Sequence, residues 1–169
     1  MGTFAELLSR VISDNWALLS RTGSESYSLL QIMEKIRVGL IGFGTVGSGL
    51  AQTLLSQRER IVQKVGIPIE LSRVADINIA ALPDDYEDVV LSADAGDIIN
   101  DPDIDIVVEL IGGTEPAKSF LLEAIRNGKH VITANKALLS THGREIFEAA
   151  AAHNVEVGFE ASVRGGIPV

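Results

Sequence analysis

Four short blocks hold most of the chemistry this chain could perform. Gly42-Phe43-Gly44-Thr45-Val46-Gly47 is a G-x-G-x-x-G run, placed directly after the apolar segment Ile36–Ile41 and opening a segment of helical periodicity. In that context Gly42 permits a tight turn, Gly44 lets backbone approach a pyrophosphate, and Gly47 lets helix and strand pack closely. With Phe43, Thr45 and Val46 it forms a turn whose helical amides, carrying the positive end of the helix dipole, can hold phosphate. Asp76 ends the second expected strand, Ile69–Ala75, where a carboxylate can accept hydrogen bonds from an adenosine ribose. It lies beyond the usual spacing of about 20 residues, an excess accounted for by a long first helix and the turn Gly66-Ile67-Pro68. An acid there repels a 2′-phosphate and so favours NAD over NADP. No Lys or Arg follows within residues 77–83, although Arg73 is near. A solvated strand-end carboxylate is the plain alternative.

The third block, Ile111-Gly112-Gly113-Thr114, follows the strongly apolar run that ends at Glu109-Leu110. Its small residues suit a loop lying beside a cofactor, and equally an ordinary loop. The fourth, Thr133-Ala134-Asn135-Lys136, stands at the end of another strand. At the carboxyl edge of an open α/β sheet, where ligands bind, Lys136 can polarise a carbonyl or exchange a proton with an alcohol. Most lysines are solvated surface charges, and spacing alone leaves Lys136 open between the two. His130, His142 and His153 show no metal-ligand spacing, and no Ser–His–Asp arrangement is supported. Asp84-Asp85-Glu87-Asp88 lacks the spacing of a calcium loop and reads as a solvated face.

The elements that must position these blocks alternate as βαβ units do, which predicts an α/β fold of the Rossmann type: a doubly wound, mostly parallel sheet with helices on both faces. Strands are expected at Ile36–Ile41, Ile69–Ala75 and residues 104–110, 131–133 and 155–160. Helices are expected at residues 45–63, 115–127 and 141–153, the second with Thr114 as N-cap, Pro116 in its first turn and Gly128 just past its end. Residues 80–99 are acidic and ambiguous, reading as a short helix and a short strand.

At 169 residues and 46% hydrophobic content the chain can build one substantial core without staples. With no cysteine, disulfides, thiolate metal sites and cysteine nucleophiles are excluded. A formal charge of −9 argues against nucleic-acid and anionic-membrane partners. A phosphate-bearing small ligand stays possible, because backbone amides hold phosphate without net positive charge. Residues 38–57 carry no charge, yet their glycines and hydroxyl and amide side chains are too polar for a lipid-facing helix. The start is no secretory signal, and a cytoplasmic location is expected.

Residues 1–32, which include Trp16, differ in character. A short amphipathic helix around Leu7, Leu8, Val11 and Ile12 precedes a polar linker, and Met33 leads straight into the first strand. They read as an appended or mis-assigned extension, with a docking helix for oligomerisation as the competing reading. Residues 33–169 read as a dinucleotide-binding domain cut off near the start of a substrate domain.

Taken together, these blocks resemble the N-terminal nucleotide-binding domain of homoserine dehydrogenase. The resemblance rests on Val38 through Gly49, Val107-Val108-Glu109-Leu110-Ile111-Gly112-Gly113, the block from Gly128 to Leu139 containing Thr133-Ala134-Asn135-Lys136, and Phe159-Glu160-Ala161-Ser162-Val163 with Gly165-Gly166-Ile167-Pro168. It implies an oxidoreductase that interconverts L-homoserine and L-aspartate 4-semialdehyde with NAD or NADP, a step toward threonine, methionine and isoleucine. It implies that Lys136 lies by the nicotinamide and the substrate. It further implies that Glu160, Val163, Gly165 and Ile167 face a sodium-like monovalent cation, with Arg164 a departure inside that loop. The full-length enzyme is expected to be a homodimer, and the 169-residue chain alone to bind a dinucleotide without turning over homoserine. Two competing readings are a Rossmann dehydrogenase for another small substrate, against which the Asn-Lys and Gly-Gly-Ile-Pro blocks argue, and a non-catalytic dinucleotide sensor.

Overall fold

A computed structural model describes residues 35–159. The 1–32 extension and the Glu160–Ile167 cation loop therefore lie outside the described residues. Six strands form one sheet: β1 (Ile36–Ile41), β2 (Ile69–Ala75), β3 (Val90–Ser92), β4 (Ile106–Glu109), β5 (His130–Thr133) and β6 (Val157–Phe159). Their order is β3-β2-β1-β4-β5-β6 and every pairing is parallel. This is the doubly wound order, which reverses direction between β1 and β4 and leaves a crevice there at the carboxyl ends of the strands.

A parallel sheet needs cover on both faces, and the central strands β1 and β4 are buried along nearly all their length. Side-chain alternation divides them between two cores. Val38, Leu40, Ile106, Val108 and Ile132 join Ala51, Leu54 and Ile61 of helices α1 (Thr45–Ser56) and α2 (Arg58–Val65). Ile41, Val107 and Val131 join the other core, made with α3 (Gly96–Ile99), α4 (Ala117–Arg126) and α5 (Lys136–His153). Gly39 belongs to this second side: a Cβ there would lie 2.3 Å from the Ile98 side chain, so α3 packs directly on the backbone of β1.

The first strand, the second strand and Gly128, which closes α4 with a positive φ of 74°, match expectation. Three details differ. The expected helix 45–63 is kinked at Gln57 and runs on to Val65, where Gly66 ends it with φ 84°. At this break Gln57 N–H donates to the Thr53 carbonyl and Ile61 N–H to the Gln57 carbonyl, while Arg58 pairs with Glu70 on β2. Thr114 does not cap α4 with its side chain; its carbonyl accepts from Lys118 N–H instead, and the helix starts at Ala117. Helix α5 begins at Lys136 rather than Thr141, because Asn135 caps it. The acidic stretch 80–99 resolves into a single 3₁₀ turn at Asp84–Tyr86, strand β3 and helix α3. The uncharged stretch 38–57 is strand, turn and helix, and no helix among the described residues is long and apolar enough to cross a membrane.

Candidate dinucleotide site

Strand register gathers the four blocks. Ala75 stands opposite Ile41, Ile41 opposite Glu109, Glu109 opposite Thr133, and Thr133 opposite Phe159, so one transverse row closes the carboxyl edge of the sheet. Each candidate segment leaves from this row: Gly42 after Ile41, Asp76 after Ala75, Ile111-Gly112-Gly113 just after Glu109, and Asn135-Lys136 just after Thr133. Residues dispersed over nearly a hundred positions of sequence thus share one edge.

The glycine turn shows three different requirements. Gly42 has φ +100°, and a Cβ there would approach the Leu110 backbone to 2.8 Å. At Gly47 a Cβ would lie 2.0 Å from the Gly42 carbonyl oxygen, so the first turn of α1 rests directly on the end of β1. Gly44 is different. Its φ of −67° and ψ of −163° suit any residue, and a Cβ would meet nothing within 4 Å. Nothing among the described residues calls for glycine at that position, whereas a group lying against the backbone would. The helix end beside it has no side-chain cap and no acidic residue in its first turn, which leaves its amides and dipole available to an anion. Those residues fit a pyrophosphate.

Asp76 is joined to this turn directly. Its Oδ2 accepts from Phe43 N–H at 2.7 Å, and its Oδ1 accepts from Asn78 N–H at 2.7 Å. The carboxylate keeps further lone pairs for hydroxyl donors. Phe43 packs edge-on against Tyr86, with ring centroids 5.7 Å apart. Tyr86 is buried, and burial together with the neighbouring Asp85 pushes its phenol up from the usual tyrosine value. Sequence reasoning passed over Tyr86 because it lies in the acidic, weakly patterned stretch.

On the other side of the crevice, Glu109 and Asn135 do work that the sequence did not reveal. Glu109 is completely buried; Oε1 accepts from Ile111 N–H at 2.9 Å and Gly112 N–H at 3.2 Å, and Oε2 accepts from the Thr133 hydroxyl at 2.6 Å. The Asn135 side chain donates to the Gly113 carbonyl and accepts from Leu138 N–H at 3.0 Å, capping α5. The Gly112-Gly113 loop is thereby tied to the start of α5. Lys136, the first residue of α5, is exposed. A cation at the positive end of a helix gains nothing from the dipole, so helix stability does not explain a lysine there. An Asn directly before a helical apolar pattern was the available signal for this helix start.

Comparison with known sequences decides the family. The sequence family described as "Homoserine dehydrogenase, NAD binding domain" matches residues 42–160. The chain belongs to the homoserine dehydrogenase family. A homoserine dehydrogenase from Bacillus subtilis is 41% identical over 138 residues, covering 81% of this chain and 32% of that protein. One from Pseudomonas aeruginosa is 46% identical over 140 residues, covering 81% of this chain and 31% of its own length. Among solved structures, a homoserine dehydrogenase from Thiobacillus denitrificans superposes with a TM-score of 0.72 at 48% identity, over 79% of this chain and 31% of that one. The chain thus spans about 32% of the curated relatives' length, and the matched part is the portion that the family names for NAD binding. Among the described residues no group of His, Asp and Glu could hold a metal ion, and the candidate cation residues Glu160, Val163, Gly165 and Ile167 lie outside them.

Proposed function

We propose that this chain is the dinucleotide-binding part of an oxidoreductase that interconverts L-homoserine and L-aspartate 4-semialdehyde by hydride transfer. The observation that carries this reading is the single edge on which the open glycine turn, the Gly112-Gly113 loop and Lys136 meet, with Asn135 bonded to Gly113 as the direct link. The turn Gly42–Gly47 and the first amides of α1 hold the pyrophosphate, and Asp76 takes the adenosine ribose. The backbone of Ile111, Gly112 and Gly113 lines the other half of the crevice. When bound, the nicotinamide accepts or supplies the hydride. The Lys136 ammonium donates a hydrogen bond to the oxygen of the substrate alcohol or aldehyde, polarising the carbonyl or taking part in exchange of the hydroxyl proton.

NAD is favoured over NADP in this reading. Asp76 stands where a 2′-phosphate would be repelled, and the nearby cation Arg73 is committed to Asp101 at 2.5 Å. Residues 33–169 form the domain and residues 1–32 an extension to it. Glu160, Val163, Gly165 and Ile167 hold a sodium-like cation, a role supported by the resemblance of the segment from Glu160 to Ile167 to the family's cation loop. The complete enzyme is a cytoplasmic homodimer acting on a small amino-acid substrate, without nucleic-acid or membrane partners.

The experiment is a calorimetric titration of this chain with NADH and with NADPH, beside a Gly44→Val control. Binding by the unaltered chain and its loss in the control are expected. Absence of binding to both cofactors would overturn the dinucleotide reading. Homoserine oxidation by the 169-residue chain alone would overturn the assignment of the substrate site to a further domain.

A further inference from the structure

Glu109 is the one completely buried carboxylate among the described residues, and none of the ion pairs found there includes it. It continues the apolar run Ile106-Val107-Val108, where an apolar side chain would avoid the cost of removing a carboxylate from water. Sheet stability is therefore no reason for an acid at this position. Its hydrogen bonds supply one. They close a ring: Glu109 to the amides of Ile111 and Gly112, Gly113 to the Asn135 side chain, Asn135 N–H to the Thr133 hydroxyl at 3.0 Å, and that hydroxyl back to Glu109.

The ring lies on the β4–β5 side of the switch point, while the Asp76–Phe43 contact lies on the β1–β2 side. A dinucleotide with its adenosine on Asp76 and its pyrophosphate on the glycine turn extends its other half over the ring. We propose that Glu109 is a positioning residue for the nicotinamide half of the site, holding the Ile111–Gly113 backbone and the Lys136 end of α5 as one unit. The proposal deepens the dinucleotide reading and rests on it. Glu109 touches no reacting atom; it acts through the loop amides, Thr133 and Asn135. A carboxylate suits this task because it accepts at both oxygens, and hydrogen bonds to a charged acceptor are the strong ones.

The test compares the unaltered chain with Glu109→Gln and Thr133→Val. Each is titrated with NADH and NADPH, and with their nicotinamide-free counterparts ADP-ribose and 2′-phospho-ADP-ribose. Glu109→Gln keeps size and one acceptor oxygen, and Thr133→Val opens the ring by removing the donor to Glu109 Oε2 while leaving the Glu109 side chain and its bonds to the loop amides in place. Both variants are expected to weaken the preferred reduced dinucleotide by about tenfold while changing its nicotinamide-free counterpart by less than about twofold. Amide hydrogen exchange without ligand supplies a second readout. Ile111, Gly112 and Leu138 are expected to exchange faster in Glu109→Gln, while Phe43, held by Asp76, stays unchanged. Equal weakening of the full and nicotinamide-free ligands, or faster exchange at Phe43 as well, would mark a general structural role and overturn this proposal alone. Should the unaltered chain bind none of these ligands, the dinucleotide reading falls and the proposal with it. If Glu109→Gln does not fold, Thr133→Val decides.

Discussion

Replacing Gly44 and Gly47 by alanine separates a glycine the ligand requires from one the fold requires. At Gly47 the added methyl would lie 2.0 Å from the Gly42 carbonyl oxygen and 2.9 Å from its carbon. The obstacle is backbone, held in turn by Gly42 N–H donating to the Ala75 carbonyl at 2.8 Å. Helix α1 must therefore lift from β1 by more than an ångström, disturbing Ala51 and Leu54 in the core beneath. Overpacking costs about 1–3 kcal/mol where side chains can yield, so a loss of at least about 3 kcal/mol is expected here. That is a large part of a typical domain's stability, roughly 5–15 kcal/mol. At Gly44 the methyl meets no protein atom within 4 Å. Alanine is a poorer N-cap than glycine by a few tenths of a kcal/mol or more, and the lost freedom of the unfolded chain returns about 0.4–1 kcal/mol. The net effect on folding is within about 0.5 kcal/mol. The same methyl occupies the space in which a pyrophosphate meets the backbone, so NADH binding weakens by at least tenfold, or about 1.4 kcal/mol. Urea unfolding with linear extrapolation reads the first quantity and calorimetry the second. The reasoning is refuted if Gly47→Ala unfolds at the urea concentration of the parent, or if Gly44→Ala binds NADH as tightly as the parent.

Asp76→Ser should lower the ratio of NADPH to NADH dissociation constants by removing the charge that repels a 2′-phosphate; an unchanged ratio at fixed ionic strength would show that the acid does not select. Lys136→Gln should raise stability by about 0.3–1 kcal/mol, since it removes a cation from the positive end of α5; in the enzyme carrying a substrate domain it should lower kcat far more than it changes the KM for cofactor. Asn135→Ala should cost about 1–2 kcal/mol in urea unfolding, because Leu138 N–H loses its cap and the Gly113 carbonyl its donor. Stability should also fall in mild acid. Burial holds His130 below its ordinary value of 6.5 against the opposing pull of Glu156 and Asp105. The unfolded chain therefore binds the proton first, and stability declines as pH falls from 6.5 toward the folded value. The Glu156 N–H donates to His130 Nδ1 at 3.0 Å, a bond that protonation breaks. His130→Gln should flatten that slope, and an unaltered slope in urea titrations at several pH values would refute the assignment.

The limits of the strands and the turns at the carboxyl edge of the sheet were legible because their causes are local. Ile36–Ile41 ends where the glycine turn begins at Gly42, and Ile69–Ala75 is set off by Gly66 and Pro68, so both strands announced their limits. The βαβ alternation and G-x-G-x-x-G implied the doubly wound sheet, and the strand ends located Gly42, Asp76, Ile111 and Lys136 at its carboxyl edge. Helix ends were less legible. Asn135 looked like part of a loop until its side chain was seen to accept from Leu138 N–H, and Thr114 had the composition of a cap but donates no side chain to the task.

What composition and pattern determined by themselves was the class of fold and the class of ligand, since hydrophobic periodicity and the special backbone needs of glycine act over a few residues. Which residues stand together was decided only in three dimensions. Glu109 and Thr133 are 24 residues apart, Phe43 and Asp76 33, and nothing in either neighbourhood of sequence names the other. Strand register brings Glu109 opposite Thr133 and sets the ends of β1 and β2, from which Phe43 and Asp76 follow, side by side, and register is set by how both faces of the sheet are buried at once. The same cause distinguishes the glycines. Gly44 and Gly47 look equivalent in the motif, yet packing places a carbonyl against one and leaves open space beside the other.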